Sequence, residues 1–230
     1  MKEKLSLIIP VYNEEDTLED ILSRVIKVKF PIEREIIIVD DCSKDKSLEK
    51  IKKFAEMHKE IKYFNHTENK GKGAVVSTGI KNATGTIIGI QDSDLEYNPE
   101  EIVFLIKQLL DKKEKVVYGS RFLKDYKYKK NRFYYGNRFL SLLTSIIYFR
   151  KITDMETCYK FFRREIIKNI NLEAKRFDME PEITAKIIKS GYRIKEIPIS
   201  YNPRTEKQGK KIKTKDGLVA VWTLFKWRFI

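Results

Sequence analysis

A mostly parallel α/β sheet flanked by helices is the architecture this sequence predicts, and three observations predict it. Apolar runs alternate with helical patterns through the first 120 residues, the signal of strand–helix–strand units. Three of those runs end in polar or acidic residues, where an open α/β sheet presents its ligand-binding edge. The chain of 230 residues shows no internal repeat or low-complexity linker, and its length suits one well-buried core.

The elements follow in order. Residues 5–10 read as a buried first strand, and residues 14–27 as an amphipathic helix with Leu18, Ile21, Leu22 and Val25 on one face. Residues 35–39 form a second strand that runs into Asp40 and Asp41, followed by a helix over 47–58 and a short strand over 61–65. A helix over 73–81 leads to a fourth strand over 86–91, which ends in Asp92-Ser93-Asp94. Pro99 lies near the start of the helix carrying Ile102, Leu105, Ile106 and Leu109. Residues 116–118 are the next strand. In the second half, residues 182–190 and 216–228 read as helices with a strand over 193–199 between them. The stretch 132–150 is rich in aromatic and aliphatic residues and basic at its borders.

Composition narrows the function. Hydrophobic residues make up 42% and charged residues 35%, a globular rather than a disordered balance. The net charge of +14 favours anionic partners such as phosphorylated substrates or an anionic lipid surface. It is concentrated in lysine-rich stretches near residues 124–132 and 207–215. Cys42 and Cys158 lie far apart, with no ligand-like spacing to His58 or His66, which predicts neither a zinc site nor a disulfide framework and fits a reducing cytoplasm. No run approaches the roughly 20 apolar residues that span a bilayer, so the expectation is a cytoplasmic protein lying on the membrane without crossing it.

The chemistry is expected where strands end: at Pro10-Val11-Tyr12-Asn13-Glu14, at Asp40-Asp41-Cys42-Ser43 and at Asp92-Ser93-Asp94. Carboxylates crowded at one sheet edge repel unless a cation or donor groups compensate. Asp92 and Asp94 point the same way in an extended segment and together suit a hard divalent cation, with phosphate oxygens completing its shell. Glu96 is either a third ligand or the first acidic residue of the next helix. Gly71 and Gly73 match neither the dinucleotide fingerprint nor the Lys-Ser/Thr phosphate loop; backbone turning is their role, with Lys72 free to face a phosphate.

In order along nearly the whole chain, these segments resemble family 2 glycosyltransferases of the GT-A fold, and among them the dolichyl-phosphate mannose synthases and their bacterial polyprenyl-phosphate relatives. Further segments that carry the resemblance are Asn69-Lys70-Gly71-Lys72-Gly73-Ala74, Tyr118-Gly119-Ser120-Arg121-Phe122, Thr153-Asp154-Met155-Glu156-Thr157-Cys158-Tyr159-Lys160 and Ile197-Pro198-Ile199-Ser200-Tyr201. The resemblance implies a single domain over residues 1–230, nucleotide-sugar-binding in 1–120 and acceptor-side and interfacial in 121–230. It implies a nucleotide pocket from Pro10, Tyr12, Glu14, Val39, Asp41, Asp92 and Ser93. Magnesium or manganese would sit on Asp92, Asp94 and Glu96. Arg121 would meet the acceptor phosphate, and Arg204 and Lys210 would clamp a phosphate or diphosphate when their loop closes. For the further phosphate clamp on the amphipathic stretch, Arg132 and Arg138 compete. Asp94, Asp154 and Arg121 would be catalytic, Asp154 either as general base or as a positioning group, since an acceptor phosphate is already anionic near neutral pH and a hydroxyl is not.

The implied reaction is inverting, metal-dependent transfer of a hexose from a GDP-mannose or UDP-glucose type donor to a polyprenyl phosphate, on the cytoplasmic face of a membrane. A sugar hydroxyl of a cell-surface polysaccharide or other soluble molecule is the alternative acceptor, and it makes Asp154 an obligatory base. A nucleotidyltransferase would need a glycine-rich basic loop after the first strand, which residues 10–14 lack. A nucleic-acid module explains the charge but not three acidic strand ends, so no nucleic acid is expected as partner. The stretch 132–150 reads as a lipid-interface segment, with packing over the sheet, a second copy of the chain or a membrane-protein partner as its other possible contacts.

Overall fold

The computed structural model describes residues 2–111, 113–123, 131–204, 211 and 214–230. Seven strands run through it: β1 (Lys4–Val11), β2 (Glu33–Asp40), β3 (Ile61–Asn65), β4 (Ile87–Ile90), β5 (Val116–Ser120), β6 (Lys160–Arg163) and β7 (Ile194–Pro198). They form one sheet in the order β3-β2-β1-β4-β6-β5-β7. The centre is covered on both faces, so β1 is buried from Leu5 to Val11 and reads as a continuous apolar run. The helices are α1 (Leu18–Lys27), α2 (Ser47–Met57), α3 (Lys72–Asn82), α4 (Ile102–Leu110), α5 (Arg132–Tyr148), the single turn α6 (Arg164–Ile167), α7 (Met179–Lys189) and α8 (Thr214–Phe229).

Topology places the site. The chain winds outward from β1 through β2 to β3, and β4 then lands on the other side of β1, all in parallel. The carboxyl ends of β1 and β4 flank that reversal, where such sheets open a crevice. β6 is antiparallel to both its neighbours, β4 and β5, and sequence reading gave no strand there. It has only four residues and a charge at each end, Lys160-Phe161-Phe162-Arg163. Lys160 is nevertheless wholly buried, because its Nζ donates to the carbonyls of Met155 (2.8 Å) and Thr157 (2.5 Å) and lies 4.7 Å from the Tyr118 ring centre. Because β6 runs backwards, the residues before it, from Asp154 to Cys158, arrive at the same edge as the ends of β1, β4 and β5. Gly89 makes room for this strand: a Cβ there would stand 2.0 Å from Cε1 of Phe161.

Helix ends depart from the sequence reading at two informative places. Residues 14–17 are not helical. Asn13 takes a positive φ of 50°, the Glu14 amide donates to Ser47 Oγ (2.9 Å), and the Glu14 carbonyl accepts from Thr17 and Leu18. The helix therefore starts at Leu18, and Glu14 stays beside β1's end. α7 starts earlier than expected, at Met179, with Pro181 in its first turn, where the missing N–H costs nothing. α5 is capped by the Asn131 side chain, which accepts from the Tyr134 amide, and is pinned to α8 by the Tyr148 hydroxyl donating to the Leu224 carbonyl (2.7 Å). Among the described residues, no helix is long and apolar enough to cross a membrane.

Candidate active site

A cavity of about 480 Å³ opens at the carboxyl edge, between the ends of β1 and β4 on one side and Arg121, Phe133 and Asn137 on the other. Such a volume suits a bound small molecule. Of the sequence-predicted residues, Pro10, Tyr12, Glu14, Asp41, Asp92, Ser93, Asp94, Glu96, Arg121 and Arg204 line it.

One end is acidic. Asp94 is buried, its Oδ1 accepting from the Glu96 amide (3.1 Å). Burial, reinforced by Asp92 and Glu96, pushes its carboxyl up to about 7. Arg204 reaches across this crowd: Nη1 donates to Glu14 Oε2 (2.9 Å), and Nη2 to Asp94 Oδ2 (2.9 Å) and Glu14 Oε1 (3.2 Å). Glu96 accepts from the Arg204 amide (2.6 Å) and the Tyr201 hydroxyl (2.9 Å). Lys211 adds a bond to Glu14 Oε1 (2.7 Å), and its Nζ lies 5.5 Å from the Tyr12 ring centre. Asp92 turns away from this group, toward Lys72 (2.8 Å). Burial opposes its ionisation, but Lys72 outweighs burial and holds the carboxyl below its ordinary range. Among the described residues, no three His, Cys, Asp or Glu side chains are gathered as a metal-ligand set; the acids are instead latched to Lys72 and Arg204.

The other end is closed by one ion pair. Arg121 donates Nε and Nη2 to the two oxygens of Asp154 (2.7 Å each), and its amide donates to Asp154 Oδ2 (2.8 Å). Asp154 is wholly buried and behind the lining. Its own loop is fixed by Glu196, which accepts from the amides of Thr153 and Asp154 (2.9 Å). With both oxygens engaged and no path to the cavity, Asp154 orients Arg121, which faces the cavity with its guanidinium 4.9 Å from the Tyr201 ring centre.

Several predicted residues lie elsewhere. Val39 is wholly buried in the core and does not line the cavity. Asp41 lines it, but its oxygens accept from His66 Nδ1 (2.8 Å) and the amides of Lys70 (2.9 Å) and Gly71 (2.7 Å), so it shapes the glycine loop. Arg132 and Arg138 are exposed on α5 and do not line the cavity; Arg138 sits 5.4 Å from the Phe122 ring centre. Lys210 and the lysine-rich stretches 124–130 and 205–210 lie outside the described residues.

Sequence reading missed Glu180, Phe177, Arg176 and Tyr97, which also line the cavity. Glu180 was hidden because an acid in a first helical turn is ordinary; the signal that it sits at a ligand edge is the reversed β6, which was itself unseen.

Comparison with known proteins agrees with this geometry. The model of glycosyl transferase family 2 matches residues 6–170. A dolichol-phosphate mannosyltransferase of Pyrococcus furiosus is 30% identical over 97% of this chain and 64% of its own length, so the chain spans just under two thirds of that relative. A dolichyl-phosphate beta-glucosyltransferase of Trichomonas vaginalis is 30% identical over 95% of this chain and 71% of its own. The structure of glucosyl-3-phosphoglycerate synthase from Mycobacterium tuberculosis, in complex with Mn2+, UDP and glucosyl-3-phosphoglycerate, superposes with a TM-score of 0.74 at 16% identity, over 99% of this chain and 81% of that one. With the GT-A fold and a family match across more than half its length, the chain belongs to glycosyl transferase family 2.

Proposed function

We propose that the protein transfers a hexose from a nucleotide diphosphate sugar to a polyprenyl phosphate at a membrane surface, with inversion at the anomeric carbon. The observation that carries this reading is the polarity of the cavity: buried acids spanned by the Arg204 cation at one end, a guanidinium locked to a buried aspartate at the other. The acidic end suits the donor. Asp92, Asp94 and Glu96 offer only carboxylate oxygens, the ligands a hard dication such as magnesium or manganese takes, and the crowding that raises Asp94 is charge such an ion would neutralise. These three residues would hold it once Asp92 leaves Lys72 and Asp94 leaves Arg204; when bound, it would supply positive charge to the leaving diphosphate. Arg204 and Lys211 would then exchange carboxylates for phosphate oxygens, and Tyr12 would lie against the base.

The locked end suits an anionic acceptor. Arg121 arrives with its side chain fixed by Asp154, ready to orient a phosphate. A phosphate oxygen attacks the anomeric carbon as the bond to the diphosphate oxygen breaks; the electron pair leaves on the nucleoside diphosphate. No proton needs removal, and Asp154 is not placed to take one. A hydroxyl acceptor would need such a base.

The outer surface supports a membrane site. Tyr135, Phe139, Leu142 and Ile146 form one exposed row on α5, and Leu218, Trp222, Phe225 and Phe229 another on the adjoining α8. Arg138, Arg150, Lys151 and Arg228 stand exposed around them, an apolar face with a cationic rim as interfacial helices have. The deciding assay supplies UDP-glucose and GDP-mannose in turn, with manganese, to the purified protein and vesicles containing a polyprenyl phosphate. Formation of a lipid-linked β-glucosyl or β-mannosyl phosphate, abolished by chelation, is the expected result. Transfer only to sugar hydroxyls would replace the acceptor assignment, and retention of configuration would remove the displacement mechanism.

A further inference from the structure

Between the acidic end and Arg121, the cavity wall carries two carboxyl groups that the donor and acceptor roles leave unused. Glu180, in the first turn of α7, is 3% exposed. Its Oε1 pairs with Lys72 at 3.1 Å, while its Oε2 is buried with no hydrogen-bond partner. Glu156, on the segment that the reversed β6 delivers, has Oε1 in the same condition. Both residues line the cavity with Lys72 and Cys158. Buried polar atoms without a partner are rare and costly in folded proteins. Two of them on one cavity wall mark a place where a ligand supplies the missing hydrogen bonds.

The chemistry of that ligand follows from its surroundings. The wall offers carboxyl oxygens and one cation, Lys72, that is already paired with Asp92 and Glu180, so it has little with which to hold the diphosphate or the acceptor phosphate. A neutral group rich in hydroxyls completes it. The wall also lies between the end that handles the diphosphate and the end that would orient the acceptor, where the transferred sugar must sit.

We propose that Glu156 and Glu180 bind hydroxyls of the donor's sugar and set which hexose is transferred, an assignment that rests on the glycosyltransferase reading above. Lys72, held between Asp92 (2.8 Å) and Glu180 (3.1 Å), fixes the Glu180 carboxyl and ties the sugar wall to the acidic end. Burial, and then the charge of Glu180, push the Glu156 carboxyl up to about 8. Near neutral pH it therefore holds a proton and can both donate and accept. A pair of that kind distinguishes hydroxyl orientations, because a misdirected hydroxyl leaves a buried partner unmet.

The test compares the parent with Glu156→Gln and Glu180→Gln. Two quantities are measured: the Kd of UDP and of GDP with manganese, and the ratios of kcat/KM among donors that share a nucleotide and differ at one hydroxyl (UDP-glucose against UDP-galactose, GDP-mannose against GDP-glucose). The expected result is a nucleotide Kd within about twofold of the parent and a donor ratio that collapses by about tenfold or more. Glu156→Asp and Glu180→Asp, which keep the acid but withdraw it by one methylene, give the same readout should an amide variant fail to fold. An unchanged donor ratio overturns the assignment. So does a fall in kcat shared equally by all donors with a shifted pH profile, which would make the altered glutamate a proton-transfer group. Absence of nucleotide binding by the parent is a different outcome and sinks the transferase reading itself.

Discussion

The two ends of the cavity handle buried charge in opposite ways. At the proposed acceptor end one arginine meets one aspartate, with both carboxylate oxygens bonded and the loop beneath held by Glu196. At the proposed donor end one arginine spans Glu14, Asp94 and Glu96, its Nε lacks a hydrogen-bond partner, and Asp94 stays pushed up to about 7. The first arrangement is complete and resists change. The second is under-neutralised and can exchange one cation for another. A site that must bind and release a charged diphosphate every turnover needs the second kind, whereas a site that only orients an incoming phosphate is served by the first. Breaking the closed pair should therefore have the largest structural effect. Asp154→Ala leaves the Arg121 charge buried and unpaired, which typically costs about 3–5 kcal/mol. Urea unfolding should show that loss together with loss of transfer. A stability change under about 1 kcal/mol would mean the pair behaves as a surface ion pair and does not lock Arg121.

Arg204→Ala sharpens the contrast from the other side. Lys211 still bonds Glu14, and Arg204 is partly solvated, its side chain 15% exposed, so the expected loss of stability is only about 1–2 kcal/mol. Function should respond more. Removal of the guanidinium leaves Asp94 without its cation and Glu14 with Lys211 alone, so manganese without nucleotide should bind more tightly, while transfer falls by about tenfold or more, as when a charge-assisted phosphate contact is lost. Titration with manganese followed by electron paramagnetic resonance separates the two effects. Weaker manganese binding in the variant would show that Arg204 does not compete for the acids.

How much of this was legible in the sequence differs between the same two ends. The donor end was readable because its parts sit at the ends of apolar strands: residues 5–10 lead directly to Tyr12 and Glu14, and residues 86–91 to Asp92 and Asp94. Parallel strand–helix repetition then brings them together without further information. The acceptor end depends on β6, four residues that reverse direction and bury a lysine, and no apolar run announced it. Arg121 and Asp154 were legible as residues of a resembling family, but not as a closed pair, since their contact crosses 33 positions of chain. Asp41 and Val39 were placed correctly at a strand end, yet side-chain partners for Asp41 and core packing for Val39 are tertiary facts. The exposed rows of α5 and α8 were half visible: the apolar content of 132–150 was plain, whereas the joining of the two helices rests on contacts such as Tyr148 to Leu224.

A finer comparison sets a satisfied buried carboxylate beside an unsatisfied one. Glu35, far from the cavity at 2% exposure, accepts from Ser6 Oγ (2.6 Å), the Thr84 amide (2.7 Å) and hydroxyl (2.8 Å), and the ammonium groups of Lys4 (3.1 Å) and Lys62 (3.0 Å). Burial alone would raise its pKa; the bonds from Ser6, Thr84 and Lys62 outweigh burial and carry it far below the ordinary range. Its stabilisation is present above the unfolded value, near 4.5, and is lost as pH falls toward the folded one. Glu156 runs the other way. Its folded pKa of about 8 lies above the unfolded 4.5, so between those values the native state binds a proton that the unfolded chain does not, and stability falls as pH rises through that window. Glu156→Gln keeps the shape and removes the titration. The variant should match the parent below about pH 4.5 and gain about 3–5 kcal/mol over it above about pH 8, read from urea unfolding across the range. The acid limb set by Glu35 should be the same in both proteins. An alkaline limb that is equally steep in the variant would assign the loss to another group and leave Glu156 ionised at neutral pH, able only to accept hydrogen bonds from a sugar.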